Sequence, residues 1–310
     1  MQILITGATS FIGIYLIKEL LLKYDCQILA VVRKNSKKIG LLHENNRIKI
    51  LELNMNEYSN VSQILKGKDI DCLIHLAWNG TRGNERDDQK LQEENYEYSM
   101  ILVKEILKLN CKKIVSAGSQ AEYGIYNKIV SEEDKCIPVI WYGKEKLKFY
   151  ENVYEICKIN NVSFKEPRFF SLYGVGDNPE TMIISILKKM LRDEDCDLTE
   201  GIQMWDFLYI TDAVKGICKL IFTECKDGIY NFGSGDIRIL KKFIMEMKEI
   251  SKSNSKLNFG VIPYLKTGMV TIQPNIYKLK KETGWYPKII FKNGIRDIIL
   301  NMGKGKNEKN

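Results

Sequence analysis

Short apolar runs alternate with longer stretches of helical spacing through the first half of the chain. Runs of strand length cover Gln2–Thr6, Gln27–Arg33, Ile48–Leu53, Cys72–Ala77, Lys112–Ala117 and Ser163–Arg168. Apolar residues at the spacing of one helix face cover Phe11–Lys23, Asn95–Asn110 and the stretch from Trp141 to about Asn160. Alternation of this kind predicts an α/β fold with a doubly wound parallel sheet.

Beyond Gly174 the alternation stops and the elements become shorter. Helical patterns cover Met182–Arg192, Asp212–Phe222 and Leu240–Ser251, with extended pieces at Gln203–Tyr209 and Gly228–Phe232. We expect one domain of residues 1–168 with about 206–228, a smaller discontinuous α/β lobe of 169–205 and 229–303, and a frayed tail of 304–310. A cleft between the two lobes is the expected ligand site.

Composition excludes several classes of protein. The chain has 310 residues and a formal charge of +8, which we attribute to lysines on solvated helix faces because no nucleic-acid motif is present. No stretch reaches the ~20 apolar residues of a membrane span. The first strand begins at Gln2, which leaves no room for a signal peptide. The eight cysteines show no CxxC pair, so we expect buried reduced thiols, no metal site and a cytoplasmic protein.

The turn between the first strand and the first helix has the composition of a phosphate-binding loop. In the sequence GATSFIG, Gly7 permits a tight turn and Gly13 lets the helix pack closely on the sheet. The helix N-terminus offers free N–H groups and a positive dipole end to a pyrophosphate. Ser10 stands in place of a middle glycine, which leaves less room for the phosphate. The placement of this loop in a βαβ unit predicts a dinucleotide site.

The end of the second strand indicates which nicotinamide cofactor binds. An enzyme that uses NAD has an acidic residue there, about 20 residues past the glycines, to bind the ribose hydroxyls. This chain has Arg33, followed by Lys34, Asn35, Ser36 and Lys37. A guanidinium pairs with a 2′-phosphate through two hydrogen bonds, whereas a carboxylate repels it. We therefore predict NADP(H), against the alternative that these are only solvated loop charges.

A serine and a Tyr–Lys pair carry the candidate chemistry. Ser119 lies in SAGSQAEYG, and Tyr142 and Lys146 lie in WYGKEK, four residues apart on one face of a helix. A lysine ammonium at that spacing favours the phenolate, so we expect the pKa of Tyr142 to fall below its free value of about 10. Such a tyrosine can exchange a proton with a carbonyl or alcohol oxygen, to which Ser119 hydrogen-bonds. With a nicotinamide nearby, this is chemistry for a ketone and a hydride.

Motifs along nearly the whole chain resemble the extended short-chain dehydrogenase/reductase family of nucleotide-sugar epimerases, dehydratases and reductases. They are GATSFIG, IHLA, SAGSQAEYG and YGKEK, followed by PRFFSLYGVGD, MWDFLYITDAV, YNFGSG and GWYP. The resemblance implies a Rossmann-type dinucleotide domain, with the smaller lobe binding the sugar nucleotide. It implies that Tyr142 donates the proton, that Lys146 lowers the pKa of that tyrosine and holds the nicotinamide ribose, and that Ser119 orients the ketone.

The resemblance, together with the charges of the Arg33 loop and of the smaller lobe, gives the expected ligand contacts. The expected cofactor contacts are Gly7, Thr9, Ser10, Phe11, Ile12, Gly13, Arg33, Ser36, Glu52, Leu53, Leu76, Ala77, Trp78, Asn95, Tyr142, Lys146, Phe169, Phe170 and Ser171. The expected substrate contacts are Trp78, Ser119, Gln120, Ala121, Glu122, Tyr142, Ser171, Lys188 and Trp205, with Asn79 and Arg82 as further pocket candidates.

Two residues depart from the family pattern. Ser171 stands where many relatives have an asparagine that contacts the sugar nucleotide, and Trp205 replaces a common phosphate-binding arginine. The substrate diphosphate is then left to a set of basic residues of the smaller lobe, each of which could equally be a surface charge. They are Lys188, Lys189, Arg192 and Arg238.

Other residues argue against two of the reactions that this family catalyses. A 4,6-dehydratase needs an Asp–Glu pair directly after its hydroxyl residue, and this chain has Gln120 and Ala121. Epimerases that abstract a carbon-bound proton and reduce a neighbouring position use a Cys–His pair. The two histidines are His43, in a polar loop, and His75, on a core strand where a packed imidazole is expected.

A reductase that consumes NADPH and a 4-epimerase that keeps NAD bound both remain. Arg33 favours the reductase, and GSQAEYG and WDFLY resemble 4-keto-6-deoxyhexose reductases such as the CDP-abequose and CDP-paratose synthases of surface-polysaccharide sugar biosynthesis. A catalytically inactive, nucleotide-sensing relative is the non-enzyme alternative, which the intact triad disfavours. The helices 95–110 and 141–160 correspond to the family's dimer-forming pair, so a homodimer is expected, although their apolar faces could equally pack on their own sheet.

Overall fold

The computed structural model of the protein describes residues 1–42, 44–264 and 269–307, with side chains to residue 303, so His43 lies outside the described residues. The strands are β1 Gln2–Thr6, β2 Gln27–Val32, β3 Ile48–Glu52, β4 Cys72–His75, β5 Lys113–Ser116, β6 Gly118–Ser119, β7 Ser163–Phe169, β8 Leu172–Tyr173, β9 Cys196–Leu198, β10 Met204–Trp205, β11 Leu208–Tyr209, β12 Gly228–Phe232, β13 Arg238–Ile239 and β14 Leu257–Phe259. The α-helices are α1 Phe11–Lys23, α2 Val61–Ile64, α3 Gln89–Leu107, α4 Trp141–Ile159, α5 Met182–Met190, α6 Ile210–Phe222, α7 Leu240–Ser251, α8 Tyr277–Thr283 and α9 Phe291–Asn307.

One large parallel sheet organises the molecule. Its strand order is β12–β7–β5–β4–β1–β2–β3, and β6 pairs with the carboxyl end of β7. The chain builds outwards from β1 to β3 and then returns to β4 on the other side of β1. The strand order therefore reverses between β1 and β4, which is where open α/β sheets bind ligands. The doubly wound sheet predicted from the sequence is confirmed.

Both faces of the central strands of this sheet are buried, because successive side chains of a strand point to opposite faces and each face is covered by helices. Ile3 and Ile5 of β1 pack on the face covered by α1 and α6. Leu4, between them, packs on the other face with residues of α3 and α4. This double burial explains why the strands are continuous apolar runs in the sequence and not alternating ones.

Outside the large sheet, the chain beyond β7 forms further helices and three two-stranded sheets. The strand pairs are β9 with β14, β10 with β13 and β8 with β11. Leu187 of α5, Phe243 of α7 and Phe291 of α9 belong to the same buried cluster as Ile3 and Ile5 of β1. These elements therefore share a continuous apolar core with one face of the large sheet.

Several boundaries differ from those expected. Gly228–Phe232, placed mostly in the smaller lobe from the sequence, instead pairs in parallel with β7 as an outer strand of the large sheet. Helix α3 begins six residues before Asn95, at Gln89, because the Asp88 side chain caps it by accepting from the Leu91 amide at 3.1 Å. Helix α9 extends to Asn307, so residues 304–307 continue a helix, and 308–310 lie outside the described residues.

The eight cysteines are free thiols, and six of them are buried. No helix in the described part of the chain combines the length and the apolar composition needed to cross a membrane. Among the same residues, no cluster of three or more His, Cys, Asp or Glu side chains could hold a metal ion.

Candidate active site

The loops after several strands open on one edge of the large sheet, because the carboxyl ends of parallel strands lie together. Residues predicted to bind the cofactor or to react lie directly at these ends: Gly7 after β1, Arg33 after β2, Leu53 after β3, Leu76 after β4 and Ser119 at the end of β6. The structure thus brings predicted residues from distant stretches of the chain to a single edge.

Gly7 makes the tight turn after β1 with a φ of +66°. A Cβ at this position would lie 2.9 Å from the backbone nitrogen of Ala77, so a larger residue would push the β1 and β4 loops apart. A Cβ on Gly13 would meet the carbonyl oxygen of Gly7. Gly7 therefore makes the predicted tight turn, and Gly13, predicted to let the helix pack on the sheet, allows α1 to approach the backbone of that turn.

The N-terminus of α1 follows this turn at Ser10. The Ser10 hydroxyl accepts a hydrogen bond from the Gly13 amide at 3.0 Å, so the serine in the place of the middle glycine caps its own helix. The Phe11 and Ile12 amides have no acceptor among the described residues. A glycine turn followed by free helix N–H groups fits the pyrophosphate of a dinucleotide, which these amides would bind.

The loop after β2 presents Arg33 to solvent. Lys34, its neighbour, is already paired with Glu57, whereas Arg33 makes no ion pair among the residues that the structure describes. The Asn35 amide donates to the Glu52 carboxylate at 3.3 Å, with Asn35 in the left-handed region at a φ of +58°. Glu52 thus fixes the conformation of this loop. The Arg33 guanidinium is left available to bind an anion.

His75, the last residue of β4, is a packed imidazole as expected. Its Nδ1 and Nε2 atoms lie 2.7 Å from the Thr6 hydroxyl and 2.9 Å from the Ser99 hydroxyl. Burial lowers the pKa of His75 to about 3, and the nearby Lys146 charge acts in the same direction. The ring is therefore neutral and fully hydrogen-bonded, which leaves it no role as a proton carrier.

The loop after β4 is held by two amide side chains of α3. Asn95 is buried, and its side chain exchanges two 2.9 Å hydrogen bonds with the backbone of Asn79. The Trp78 indole donates to Gln92 at 2.7 Å. Asn95, predicted as a cofactor contact, therefore acts by fixing the loop that carries Leu76, Ala77 and Trp78.

Ser119, Tyr142 and Lys146 converge beside this loop. The Lys146 ammonium donates to the Ala117 carbonyl at 2.6 Å and lies 4.0 Å from the centroid of the Trp78 ring. Burial lowers the pKa of Lys146 to about 8, opposed by the charges of Glu122 and then Glu166. The ammonium is therefore retained at neutral pH inside a buried site, partly by two acidic side chains below it.

The pKa of Tyr142 is raised, contrary to the expectation that Lys146 lowers it. Burial is the main cause, because it penalises the phenolate. The charge of Arg86 and then the Ser119 hydroxyl oppose this rise. The Lys146 nitrogen lies 5.8 Å from the centroid of the Tyr142 ring and donates to the Ala117 carbonyl. Tyr142 is thus a protonated phenol, in the state of an acid.

A buried cluster of charges lies beneath Ser119. Arg168 of β7 contacts Glu122 at 2.7 Å and Glu166 at 3.0 Å, and all three side chains are at most 1% exposed. Glu122 also accepts from the Ser119 amide at 2.6 Å. Glu122, expected to contact the substrate, therefore faces inwards and holds the backbone of Ser119. Gln120 and Ala121 form the rest of this turn, and Gln120 is half-buried.

Ser171 and Trp205, the two departures from the family pattern, contact each other. The Trp205 indole nitrogen donates to the Ser171 hydroxyl at 3.2 Å. Ser171 thus stands in the place of an asparagine, and Trp205 in the place of an arginine. The two replacements form one hydrogen-bonded pair. Phe169 is the last residue of β7, and the amide of Phe170, the next residue, donates to the Phe232 carbonyl at 3.2 Å.

The four basic residues proposed to bind the diphosphate differ in whether a carboxylate already neutralises their charge. Arg238 contacts both Asp236, at 2.9 Å, and Glu246, at 2.7 Å, so its charge is already balanced. Arg192 pairs with Glu194 at 3.0 Å on the surface. Lys188 and Lys189 are exposed and make no ion pair among the described residues. Of the four, the two lysines of α5 keep an uncompensated charge.

Sequence reasoning missed Arg86, Glu166 and Arg168. Arg86 lies in a polar loop far from Tyr142 along the chain, and nothing in its spacing marks it. The run KEPRF did contain a signal, because charged side chains in a strand expected to be buried on both faces require partners inside the protein.

Fold and site together define a doubly wound dinucleotide-binding enzyme with a Ser–Tyr–Lys group. The model of the NAD dependent epimerase/dehydratase family matches residues 3–233. The chain belongs to this family, as its motifs indicated.

The relatives agree with this assignment along nearly the full length. The chain is 28% identical to the dTDP-4-dehydro-6-deoxyglucose reductase of Escherichia coli over 315 aligned residues, covering 96% of each protein. It is 26% identical to the CDP-abequose synthase of Salmonella muenchen, covering 96% of this chain and 97% of that protein. Among solved structures, the UDP-glucuronic acid 4-epimerase of Bacillus cereus in complex with NAD superposes with a TM-score of 0.85 at 23% identity, covering 98% of each chain. That structure supports the fold.

Proposed function

We propose that the protein reduces the C4 ketone of a 4-keto-6-deoxy sugar linked to CDP or dTDP, with NADPH as the reductant. The observation that carries this proposal is the convergence of Ser119, Tyr142 and Lys146 beside the β4 loop of Ala77 and Trp78, which the Gly7 turn approaches at the carboxyl edge of the sheet. When bound there, a reduced nicotinamide supplies the hydride for the carbonyl carbon.

The three side chains then stabilise and protonate the carbonyl oxygen of the substrate. Tyr142 donates its phenolic proton as negative charge develops on that oxygen. The Ser119 hydroxyl accepts from the Ala121 amide at 3.2 Å, which leaves its own hydrogen free to be donated to the same oxygen. Lys146, charged at neutral pH, offsets the negative charge that Tyr142 acquires.

Reduction is favoured over the other reactions of the family for local reasons. Gln120 and Ala121 cannot exchange protons, which argues against elimination of water. His75 is neutral and hydrogen-bonded at both nitrogens, which argues against a second acid or base. The reductase from Escherichia coli supports the proposal by its activity, whereas the 4-epimerase structures support only the fold.

The purified protein mixed with NADPH and a panel of CDP-, dTDP-, GDP- and UDP-linked 4-keto sugars tests the proposal. We expect absorbance at 340 nm to fall with a CDP- or dTDP-linked substrate and a C4 alcohol to form in equal amount. In a parallel assay with NAD and the corresponding C4-hydroxy sugar nucleotides, interconversion of C4 epimers with no net change in absorbance at 340 nm would make the protein a 4-epimerase. Binding of sugar nucleotides with no turnover of any kind would favour the nucleotide-sensing alternative.

Arg33 is proposed to select NADPH. The Arg33→Asp variant should raise the KM for NADPH by roughly 10–100-fold more than the KM for NADH, because a charge-assisted contact contributes about 1.5–3 kcal/mol. Initial rates with each cofactor measure this. Lys66→Asp, the same charge change at an exposed site away from the β2 loop, is the control and should affect both cofactors equally. An equal effect of Arg33→Asp on the two KM values would refute the choice of cofactor.

Domain organisation and assembly remain proposals. The proposed dinucleotide domain comprises residues 1–168 and about 206–232, which now includes β12, and the rest forms the proposed sugar-nucleotide lobe. We also propose the homodimer through α3 and α4. Their apolar residues Val103 and Val153 pack on the sheet, and the two helices contact each other where the Lys148 ammonium of α4 lies 4.0 Å from the centroid of the Tyr96 ring of α3.

A further inference from the structure

Arg86 lies against the phenol of Tyr142. Its guanidinium carbon is 4.9 Å from the centroid of the Tyr142 ring. The Arg86 side chain is half-buried, and its Nε atom is buried without a hydrogen-bond partner in the part of the chain that the structure describes. Burying a guanidinium nitrogen without an acceptor costs free energy. The position of Arg86 beside the Tyr142 phenol, which becomes an anion when it gives up its proton, therefore calls for a functional explanation.

Contacts on both sides hold Arg86 in this place. It lies in the 3₁₀ turn Gly83–Asp87, between β4 and α3. The Asp87 carboxylate accepts from the Trp141 amide at 3.0 Å, which ties the turn to the first residue of the helix that carries Tyr142. On the other side, Arg82 pairs with Asp177 at 3.1 Å. The turn is therefore fixed to the catalytic helix at one end and to the loop after β8 at the other.

Two cations lie near the Tyr142 ring, and the Arg86 guanidinium is the nearer of the two to the ring centroid. The Lys146 nitrogen lies 5.8 Å from the same centroid and already donates to the Ala117 carbonyl. The other groups that act on Tyr142 are the Ser119 hydroxyl from β6, Glu122 from the following turn and Glu166 from β7. The two acids oppose a phenolate, so a cation against the Tyr142 ring has an electrostatic function.

We propose that Arg86 is a positioning residue for the proton transfer, whose guanidinium stabilises the Tyr142 phenolate. This inference rests on the proposed reduction. In that step the O–H bond of Tyr142 breaks, its proton forms the new O–H bond of the sugar alcohol, and the electron pair stays on the phenol oxygen. The hydride comes from the reduced nicotinamide. Arg86 accepts no proton and only offsets the charge left on Tyr142.

The test combines a titration that needs no substrate with steady-state kinetics. The protein is labelled with difluorotyrosine, whose phenol ionises at lower pH, and the Tyr142 signal is assigned by its loss in Tyr142→Phe. In Arg86→Gln the ionisation of this signal should move to higher pH, and in Arg86→Lys it should return towards the wild-type position. Lys144→Gln removes an exposed charge from the same helix and should leave the signal unchanged. Circular dichroism of each variant verifies the fold.

Kinetics separate this role from substrate binding. With a reducible sugar nucleotide, Arg86→Gln should lower kcat by about 10- to 100-fold with little change in KM, as for the loss of a group that stabilises charge in the transition state. An unchanged Tyr142 titration in Arg86→Gln would overturn the proposal. So would a rise in the KM for the sugar nucleotide at constant kcat, which would make Arg86 a substrate anchor. The titration gives its answer even if no 4-keto sugar is turned over, so failure of the proposed function is distinguishable from failure of this inference.

Discussion

Tyr142→Phe is expected to lose about 10²–10⁴-fold or more in kcat, the usual contribution of a general acid. The substitution removes only the hydroxyl that would protonate the ketone oxygen. The ring is buried between the indole of Trp78 and the guanidinium of Arg86, and phenylalanine keeps those contacts. Because the hydroxyl is not part of the Gly7 turn or the Arg33 loop, the dissociation constant for NADPH should stay close to that of the wild type.

Single-turnover rates and NADPH fluorescence titrations measure the two quantities separately. Tyr150→Phe is the matched control, because it makes the same change on the same helix, where Tyr150 packs on Phe164 and Tyr154. That variant should keep wild-type kcat. Turnover by Tyr142→Phe at the wild-type rate would refute the assignment of the proton donor, and a matching loss in Tyr150→Phe would mean that the helix had been disturbed.

The elements that place the site were predictable because their signals are local. The strand β1, the glycine turn and the helix α1 follow one another within a short stretch, and their bounds were predicted without error. The Tyr142–Lys146 pair depends only on the helical repeat. The smaller lobe was less predictable, since its short strands pair across long separations, as in β9 with β14.

The electrostatics of the site could not be predicted from spacing alone. A four-residue separation places Lys146 near Tyr142, but the direction of the Tyr142 pKa depends on burial, which is a property of the whole fold. It also depends on Arg86, delivered by a turn from another part of the chain. Similarly, Glu122 lies three residues after Ser119 in the sequence, and only the position of Arg168 shows that its carboxylate points inwards. Contacts between distant segments decide each of these cases.

The pairing of Ser171 with Trp205 illustrates the same limit. Each residue taken alone looked like the loss of a ligand contact. In the structure they share a hydrogen bond of 3.2 Å, next to β13, whose Arg238 is opposite Trp205 in the strand pair. The two departures from the family pattern therefore form a single contact, which neither residue taken alone could reveal.

Arg168→Met is expected to lower the free energy of unfolding by about 3–5 kcal/mol, the typical cost of removing one partner of a buried ion pair. Arg168 is fully buried and is the cation between Glu122 and Glu166. Methionine fills a similar volume, so the loss is electrostatic and not that of a cavity. Urea unfolding followed by circular dichroism gives the value. Arg192→Met, which removes an exposed cation paired with Glu194, should cost no more than about 1 kcal/mol.

The free energy of unfolding that Arg168→Met loses should depend on pH, and the structure determines the direction of that dependence. Burial and the charge of Glu122 already raise the pKa of Glu166 well above its ordinary value, with Arg168 opposing them. Without Arg168 the pKa of Glu166 rises further. An acid whose pKa is raised on folding gives stability that is present below its unfolded pKa and lost as pH rises through its folded pKa. The variant should therefore be closest to the wild type near pH 5 and furthest from it near pH 8.

A second substitution separates charge from packing. In Arg168→Met combined with Glu166→Gln, one of the two acids is neutral at every pH, so part of the lost stability should return and the pH dependence should weaken. If Arg168→Met lost the same free energy at pH 5 and pH 8, the cluster would be stabilised by shape and not by charge balance. The result also bears on the active site, because Glu122 is hydrogen-bonded to the Ser119 amide and its charge helps to keep Lys146 protonated. If Glu122 and Glu166 stay ionised only when Arg168 is present, then the stability of the core and the protonation state of Lys146 depend on the same residue.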